Sequence, residues 1–279
     1  MNSMVFEYKR WDDFCNKLYD IGLISISACE ASKSKDKYIV LKHDVETDVP
    51  RAYALAKIEN KYGHRGSFYV QAYLMKDKKN IDYLKQMQRM GHEISYHYDV
   101  MDSNKGNIEN AISEFESNRI LFEEYGFYLV TVCQHGNPVV ERIGYTSNRD
   151  FFRSQSVQEL YHDISDIMVD YKDKYSTDYT YYSDAGRKFS MIYDPINNDQ
   201  VNSDDKNIKY GDLNQVLEAI KDGGNAILST HPHRWTKSAV EYTIKNGVFK
   251  MVKSTAKLLL HIPGMKKIMG RYYYLAKKI

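Results

Sequence analysis

The sequence predicts an α/β fold with parallel strands. Short apolar runs alternate with longer segments in which apolar residues recur every three or four positions. The first pattern is typical of a buried strand and the second of an amphipathic helix. Because the connections between these segments are short, the alternation indicates a parallel sheet or barrel covered by helices.

The individual elements follow from the same patterns. The first helix is predicted over residues 6–20, and a buried strand follows at residues 38–41. Pro50 suits the first turn of the next helix, which ends at Gly63. The remaining predicted elements are strands at 66–70, 92–98, 129–133 and 226–229, and helices at 80–90, 107–125 and 212–220.

We divide the chain into a body, residues 1–236, and a basic tail, residues 237–279. Residues 144–206 of the body are less regular than the rest. They contain two short candidate strands, at 166–169 and 178–182, among polar turns. The body is therefore expected to carry the α/β fold, and the tail to be an extension of it.

The tail differs from the body in charge. It holds ten Lys or Arg and one acidic residue, whereas the body holds 29 basic and 36 acidic side chains. Residues 248–260 and 265–279 each place apolar side chains on one helical face, on either side of Pro263-Gly264. Such basic amphipathic helices can lie on an anionic membrane surface. The alternative is a pair of helices packed on the body, with their lysines in solvent.

The composition excludes several classes of protein. With 39 Lys and Arg against 37 Asp and Glu, the formal net charge is +2, so no nucleic-acid partner is expected. The three cysteines lack the Cys-x-x-Cys spacing of structural zinc sites and do not indicate a disulfide framework. We find no apolar core of a signal peptide and no run of about 18 apolar residues. We expect a cytoplasmic protein, associated with the inner face of the membrane if the tail binds lipid.

Histidines and carboxylates cluster where four of the predicted strands end. Parallel strands direct their carboxyl ends to one edge of the sheet, so side chains that are distant in sequence are expected to meet there. A single histidine at a strand end is more often structural, but four such segments predict a shared metal or acid–base site. The segments are His43-Asp44-Val45-Glu46, His97-Tyr98-Asp99, His135-Gly136-Asn137 and His231-Pro232-His233-Arg234-Trp235.

The same segments carry a family resemblance. Leu-Lys-His-Asp-Val-Glu at residues 41–46, Gly-His-Glu-Ile-Ser-Tyr-His at 91–97 and Leu-Ser-Thr-His at 228–231 resemble, in this order, motifs of the polysaccharide deacetylase superfamily. This is the NodB homology domain, or carbohydrate esterase family 4. The His-Gly-Asn-Pro and His-Pro-His-Arg-Trp segments are similar to a divergent, WbmS-type branch linked to bacterial surface-polysaccharide loci. The resemblance implies a distorted (β/α) barrel of about seven strands, with the site at the carboxyl ends of the strands.

The resemblance also implies roles for individual residues. Asp44 corresponds to the general base, and His231 corresponds to the acid that protonates the leaving amine. Glu46 and His97 correspond to metal ligands, although the family's Asp-Asp pair is replaced by Asp44-Val45-Glu46. Residues two apart in a strand still face the same side, so Asp44 and Glu46 can reach one metal ion.

A second departure concerns the third metal ligand. The family's second metal histidine lies four residues after the first, where this chain has Met101. A thioether binds hard divalent metals poorly. His135 and Asp99 are the candidates to replace this ligand. We predict that His135 closes the metal site; otherwise the site is weakened or lost.

Further residues are candidates for binding substrate. His233, Arg234 and Trp235 are expected to form a substrate wall, in which the indole stacks on a sugar ring. Asp184 and Arg187 follow a predicted strand, where they can orient the base, bind substrate or form a local ion pair on a surface turn. The predicted substrate-binding residues are His43, Asp184, Arg187, His233, Arg234 and Trp235.

The function that the resemblance implies is metal-dependent deacetylation of an N-acetylated sugar or saccharide intermediate in bacterial surface-polysaccharide biosynthesis. The expected metal is zinc, with nickel, cobalt or manganese as alternatives, and the carbohydrate can be nucleotide- or lipid-linked. Two alternatives remain: a catalytically silent glycan-binding or assembly protein on the same barrel, and an amidohydrolase similar to allantoinases. Serine hydrolases and nucleotide-dependent enzymes are disfavoured, because the sequence contains no Gly-x-Ser-x-Gly, Walker or Gly-x-Gly-x-x-Gly motif.

Overall fold

The computed structural model of the chain describes residues 5–137, 140–185, 189–192 and 208–260. Strands and helices alternate along most of this length. The strands are β1 (Ile39–Val45), β2 (Gly66–Val70), β3 (Glu93–Tyr98), β4 (Thr131–Gln134), β5 (Ser165–Asp166), β6 (Thr180–Ser183), β7 (Ser190–Ile192), β8 (Ile208–Lys209) and β9 (Ala226–Thr230). The helices are α1 (Tyr8–Asp20), α2 (Ala28–Ala31), α3 (Val49–Lys61), α4 (Lys78–Arg89), α5 (Val100–Ser103), α6 (Ile108–Glu124), α7 (Asp150–Arg153), α8 (Gln155–Leu160), α9 (Tyr171–Lys174), α10 (Leu213–Asp222) and α11 (Ala239–Leu260).

The strands form one sheet, in the order β5-β4-β3-β2-β1-β9-β6-β7-β8. The first seven strands in this order are parallel, and β7 and β8 extend the sheet in antiparallel fashion. The parallel strands curl into a partial barrel. The predicted α/β class and the number of parallel strands are therefore confirmed. Within the described part of the chain the barrel does not close, because β5 and β8 are the two edges of the sheet.

Strand β1 lies at the centre of the nine-stranded sheet, between β2 and β9. All seven of its residues are buried, because neighbouring strands cover both edges and other parts of the chain cover both faces. Asp44 aligns with Tyr69 of β2, and His43 aligns with Thr230 of β9. The chain leaves β1 directly into α3, where the Asp48 carboxylate accepts a hydrogen bond from the Arg51 backbone N–H and caps the helix. The carboxyl end of β1 is thus held by β2, by β9 and by the capped start of α3.

The helix that begins the basic tail is partly anchored to the body. Tyr242 of α11 is buried in the same apolar cluster as α1 and α10, and Glu241 accepts a hydrogen bond of 2.7 Å from the Arg51 guanidinium. The predicted helix at 248–260 lies within α11, whereas the second predicted basic segment lies outside the described residues. Among the helices that the structure describes, none has the length and apolar character needed to cross a membrane.

Candidate metal centre and acid–base site

Strand β1 and the residue that follows it, Glu46, contribute three charged side chains to one face of the sheet. Lys42, Asp44 and Glu46 alternate with apolar or aromatic neighbours, and in an extended strand every second residue faces the same side. All three are buried, and the Lys42 ammonium forms an ion pair with the Asp44 carboxylate. The face therefore carries two carboxylates, one of which is neutralised within the strand.

Glu46, His97 and His135 form a group that could hold a metal ion. They come from the ends of β1, β3 and β4, and their ligand atoms lie within 4.8 Å of one another. Glu46 Oε1 is 3.3 Å from His135 Nε2, and the His97 and His135 rings are perpendicular, with centroids 5.2 Å apart. The structure thus brings together the three residues predicted to be metal ligands.

The His97 imidazole is held in one orientation by the backbone. Its Nδ1 lies 3.0 Å from the carbonyl oxygen of Cys133. Because a carbonyl can only accept a hydrogen bond, Nδ1 carries the proton, and the lone pair of the neutral ring is left on Nε2. A backbone carbonyl that fixes the tautomer in this way is a common partner of metal-binding histidines.

The electrostatics of the site suit metal ligation. Burial lowers the pKa of His97 to about 3, although the neighbouring Asp44 carboxylate opposes this effect. Burial tends to raise the pKa of Asp44, but Lys42, His97 and His231 outweigh it and lower the pKa to about 2. At neutral pH the imidazole of His97 is therefore uncharged, as metal binding requires, and the neighbouring Asp44 carboxylate is ionised.

His231 lies beside this group and is oriented by Asp184. Its Nδ1 is 2.6 Å from Asp184 Oδ1, and its Nε2 is 3.9 Å from Asp44 Oδ2 and 3.8 Å from Glu46 Oε1. Asp184 is fully buried, and Arg234 Nη1 also donates to its Oδ1, at 2.6 Å. Burial opposes ionisation of Asp184, but Arg234 and His231 hold the pKa of this carboxyl well below its ordinary value.

Two predicted substrate contacts are corrected by the structure. His43 faces the opposite side of the sheet from Asp44, where its ring stacks on Phe68 with centroids 4.1 Å apart. Its Nε2 lies 2.7 Å from the buried carboxylate of Glu59. Trp235 is 1% exposed and packs edge-on against an aromatic ring of α1 in the apolar interior, with its indole N–H bonded to a buried threonine. Neither side chain is accessible to a sugar from these positions.

The other predicted substrate residues have different environments. The His233 ring lies 5.7 Å from that of His231, and its Nδ1 is buried without a hydrogen-bond partner among the residues described. Arg234 is occupied by Asp184 and therefore supports His231. Arg187 lies outside the described residues. Met101 is 4% exposed and belongs to a large apolar cluster, so its side chain is part of the core.

The loop that carries His135 depends on residues that the sequence analysis missed. Asn148 Nδ2 donates to the His135 carbonyl at 2.8 Å and to Asp102 Oδ2 at 2.9 Å. Asp102 also accepts two hydrogen bonds of 2.8 Å from the Arg142 guanidinium, which in turn donates to the Asn137 carbonyl at 2.9 Å. These contacts tie the backbone at His135 and Asn137 to α5. No motif in the sequence indicates them.

Comparisons with protein-family models, with curated proteins and with solved structures find no match to this chain. The resemblance to polysaccharide deacetylases therefore depends on the sequence motifs alone. The chemistry of the site has to be argued from its own geometry.

Proposed function

We propose that the chain is a metal-dependent amide hydrolase that deacetylates an N-acetylated sugar or saccharide intermediate. The observation that carries the proposal is the placement of His231 Nε2 within 3.8 Å of Glu46, a member of the Glu46, His97 and His135 ligand group. Hydrolysis of an amide needs an electrophile, a base and an acid at one point. This corner of the sheet offers candidates for all three.

The ligand group fits a divalent metal such as zinc. One carboxylate oxygen and two imidazole nitrogens are the donor set of many catalytic zinc sites, which keep a further position open for water or substrate. A metal held there supplies Lewis-acid polarisation of the amide carbonyl and acidifies a bound water. The buried His97 does not have to lose a proton to accept it.

The protein's own residues supply the proton transfers. Asp44 is ionised and lies on the same side of β1 as Glu46, so it is the candidate general base. His231 is the candidate acid, because Asp184 fixes its Nδ1 and directs its Nε2 toward Asp44 and Glu46. A proton held on His231 Nε2 can be delivered to the departing amine, and Asp184 stabilises the imidazolium before that transfer.

The assignment of a sugar as substrate comes from the motif resemblance and has one structural support. His233 presents a buried nitrogen that no described residue satisfies, next to His231. A buried polar atom of this kind is costly unless it finds a partner. A hydroxyl group of a bound saccharide is a suitable partner for it.

The environment of Met101 bears on the catalytically silent alternative. That alternative rests on the altered carboxylate pair, Asp44-Val45-Glu46, and on the absence of a histidine at position 101, where the Met101 side chain packs into the core. The third ligand, a second imidazole nitrogen, is available instead from His135, on the neighbouring strand end. The position of His135 therefore favours the enzyme over the silent binding protein.

The proposal is tested by metal analysis and acetate release. Purified protein, reconstituted with zinc, is expected to hold a stoichiometric amount of metal and to release acetate from one or more members of a panel of nucleotide- and lipid-linked N-acetyl sugars. His97→Ala is expected to lose both properties, whereas His162→Ala, which alters an exposed histidine outside the site, retains them. A wild-type protein that cannot be loaded with zinc, nickel, cobalt or manganese would refute the mechanism.

A further inference from the structure

A buried lysine lies inside the candidate site. Lys42 is 1% exposed, and no part of the sequence motifs explains it. Its ammonium forms an ion pair with Asp44, donates to Ser229 Oγ at 3.3 Å and lies 5.5 Å from the centre of the Tyr69 ring. It also interacts with the thiol of Cys133. Buried lysines are rare, and each needs compensating partners.

Two of these partners, Asp44 and Cys133, belong to a second group of ligand atoms. Asp44, His97 and Cys133 also bring their ligand atoms within 4.8 Å of one another. The group shares His97 with the first group, and a neutral imidazole offers only one lone pair. The two groups are therefore alternatives for a single metal ion. One contains Glu46 and a second histidine, and the other contains a thiol.

We propose that the Lys42 ammonium determines which of these two groups binds the metal ion. The ammonium takes the place of a metal ion beside Asp44 and Cys133, which confines the metal to Glu46, His97 and His135. A divalent ion placed beside Asp44 and Cys133 would meet the positive charge of Lys42 in a buried, poorly screened setting. Asp44 consequently stays unliganded. The inference rests on the proposed function in taking the first group as the metal site.

The assignment explains why Asp44 and Glu46 play different roles although they share one face of β1. The Glu46 carboxylate is directed toward His135 and His231. Asp44 is paired with Lys42 and stays ionised. Removal of the lysine charge should therefore make Asp44 and Cys133 available to a metal.

Cobalt(II) spectroscopy tests the inference, because thiolate-to-cobalt charge transfer gives a near-ultraviolet band that nitrogen and oxygen ligands do not give. Wild-type protein is expected to bind cobalt without this band. Lys42→Met, which keeps the length of the side chain and removes its charge, is expected to gain the band as Cys133 loses its proton and joins the metal. Lys42→Met with Cys133→Ser should lack the band again.

A test without any change at Lys42 covers the case in which Lys42→Met does not fold. Cys133→Ser alone is expected to leave the cobalt affinity of the protein unchanged, whereas Glu46→Gln lowers it. A thiolate band in wild-type protein, a loss of affinity in Cys133→Ser, or a folded Lys42→Met protein without the band would each overturn the inference. Failure of the proposed function gives a different result: wild-type protein that binds no cobalt, whatever the variants do.

Discussion

The contacts of Asp184 predict a large loss of stability in Asp184→Asn. Each carboxylate oxygen accepts two hydrogen bonds. Oδ1 receives His231 Nδ1 and Arg234 Nη1, both at 2.6 Å, whereas Oδ2 receives Thr230 Oγ1 at 2.7 Å and the His231 backbone N–H at 3.0 Å. An asparagine has only one oxygen. Whichever way the amide turns, its NH₂ group therefore faces two donors.

The magnitude follows from those lost contacts. A hydrogen bond to a charged group contributes about 1.5–3 kcal/mol, and the substitution removes two of them as well as the negative charge. Breaking a buried ion pair by removal of one partner costs about 3–5 kcal/mol. We expect Asp184→Asn to lower the free energy of unfolding by about 3–5 kcal/mol at neutral pH.

The contribution of Asp184 to stability depends on pH in a direction that follows from its pKa. The folded-state pKa of Asp184 is depressed, so its stabilising contribution is complete above the unfolded-state value of about 3.9 and is lost as the pH falls through the folded-state value. The difference in free energy of unfolding between wild type and Asp184→Asn should be constant from about pH 5 upward and should decrease below about pH 4.

Urea unfolding followed by circular dichroism at neutral and acidic pH measures this difference. Asp13→Asn is the matched control, because the Asp13 side chain is 56% exposed and pairs only with Lys9 at 3.5 Å among the contacts described. Exposed pairs of this kind contribute about 0–1 kcal/mol. An effect of Asp184→Asn as small as that of the control, or one that does not change down to pH 3, would refute the reasoning.

Three further predictions test other parts of the site. Asn148→Ala should weaken metal binding about 10- to 100-fold in a chelator competition, because the His135 loop loses its anchor, and unchanged affinity would contradict this role. Trp235→Ala should lower the free energy of unfolding in urea by about 3–5 kcal/mol and leave the KM for the acetylated sugar unchanged. A higher KM with unchanged stability would instead support the predicted contact between Trp235 and the substrate. Met101→His should cost about 1–3 kcal/mol by placing a polar ring in the core, and a gain in metal affinity would show that position 101 does reach the site.

The parallel sheet was predictable because its signals are local. The strand predicted at 226–229 corresponds to β9 (Ala226–Thr230), and the helix predicted at 107–125 corresponds to α6. The predicted strand at 166–169 is instead the two-residue β5 followed by a turn. Strands as short as β5, β7 and β8 contain too few residues to show a period of two. Their pairing is decided by contacts with distant strands.

The site was predictable in part because parallel strands direct their ends to one edge. Strand alternation predicted that Asp44 and Glu46 share a face. The same alternation places His43 on the opposite face, so the error at His43 came from weighting residue type above strand geometry. Trp235 is different, since its burial depends on packing against Phe6 and Trp11, more than 200 residues away in the sequence. No local pattern determines that contact.

Lys42 shows how a single charge can determine the character of the whole site. It lies in a strand that is buried throughout, so its charge has to be balanced by a neighbour, and Asp44 provides that balance. The Lys42–Asp44 pair is neutral as a unit. A divalent ion held by Glu46, His97 and His135 would therefore be neutralised by one carboxylate instead of two. Such a centre polarises a substrate carbonyl more strongly, which is the property that hydrolysis of an unreactive amide requires.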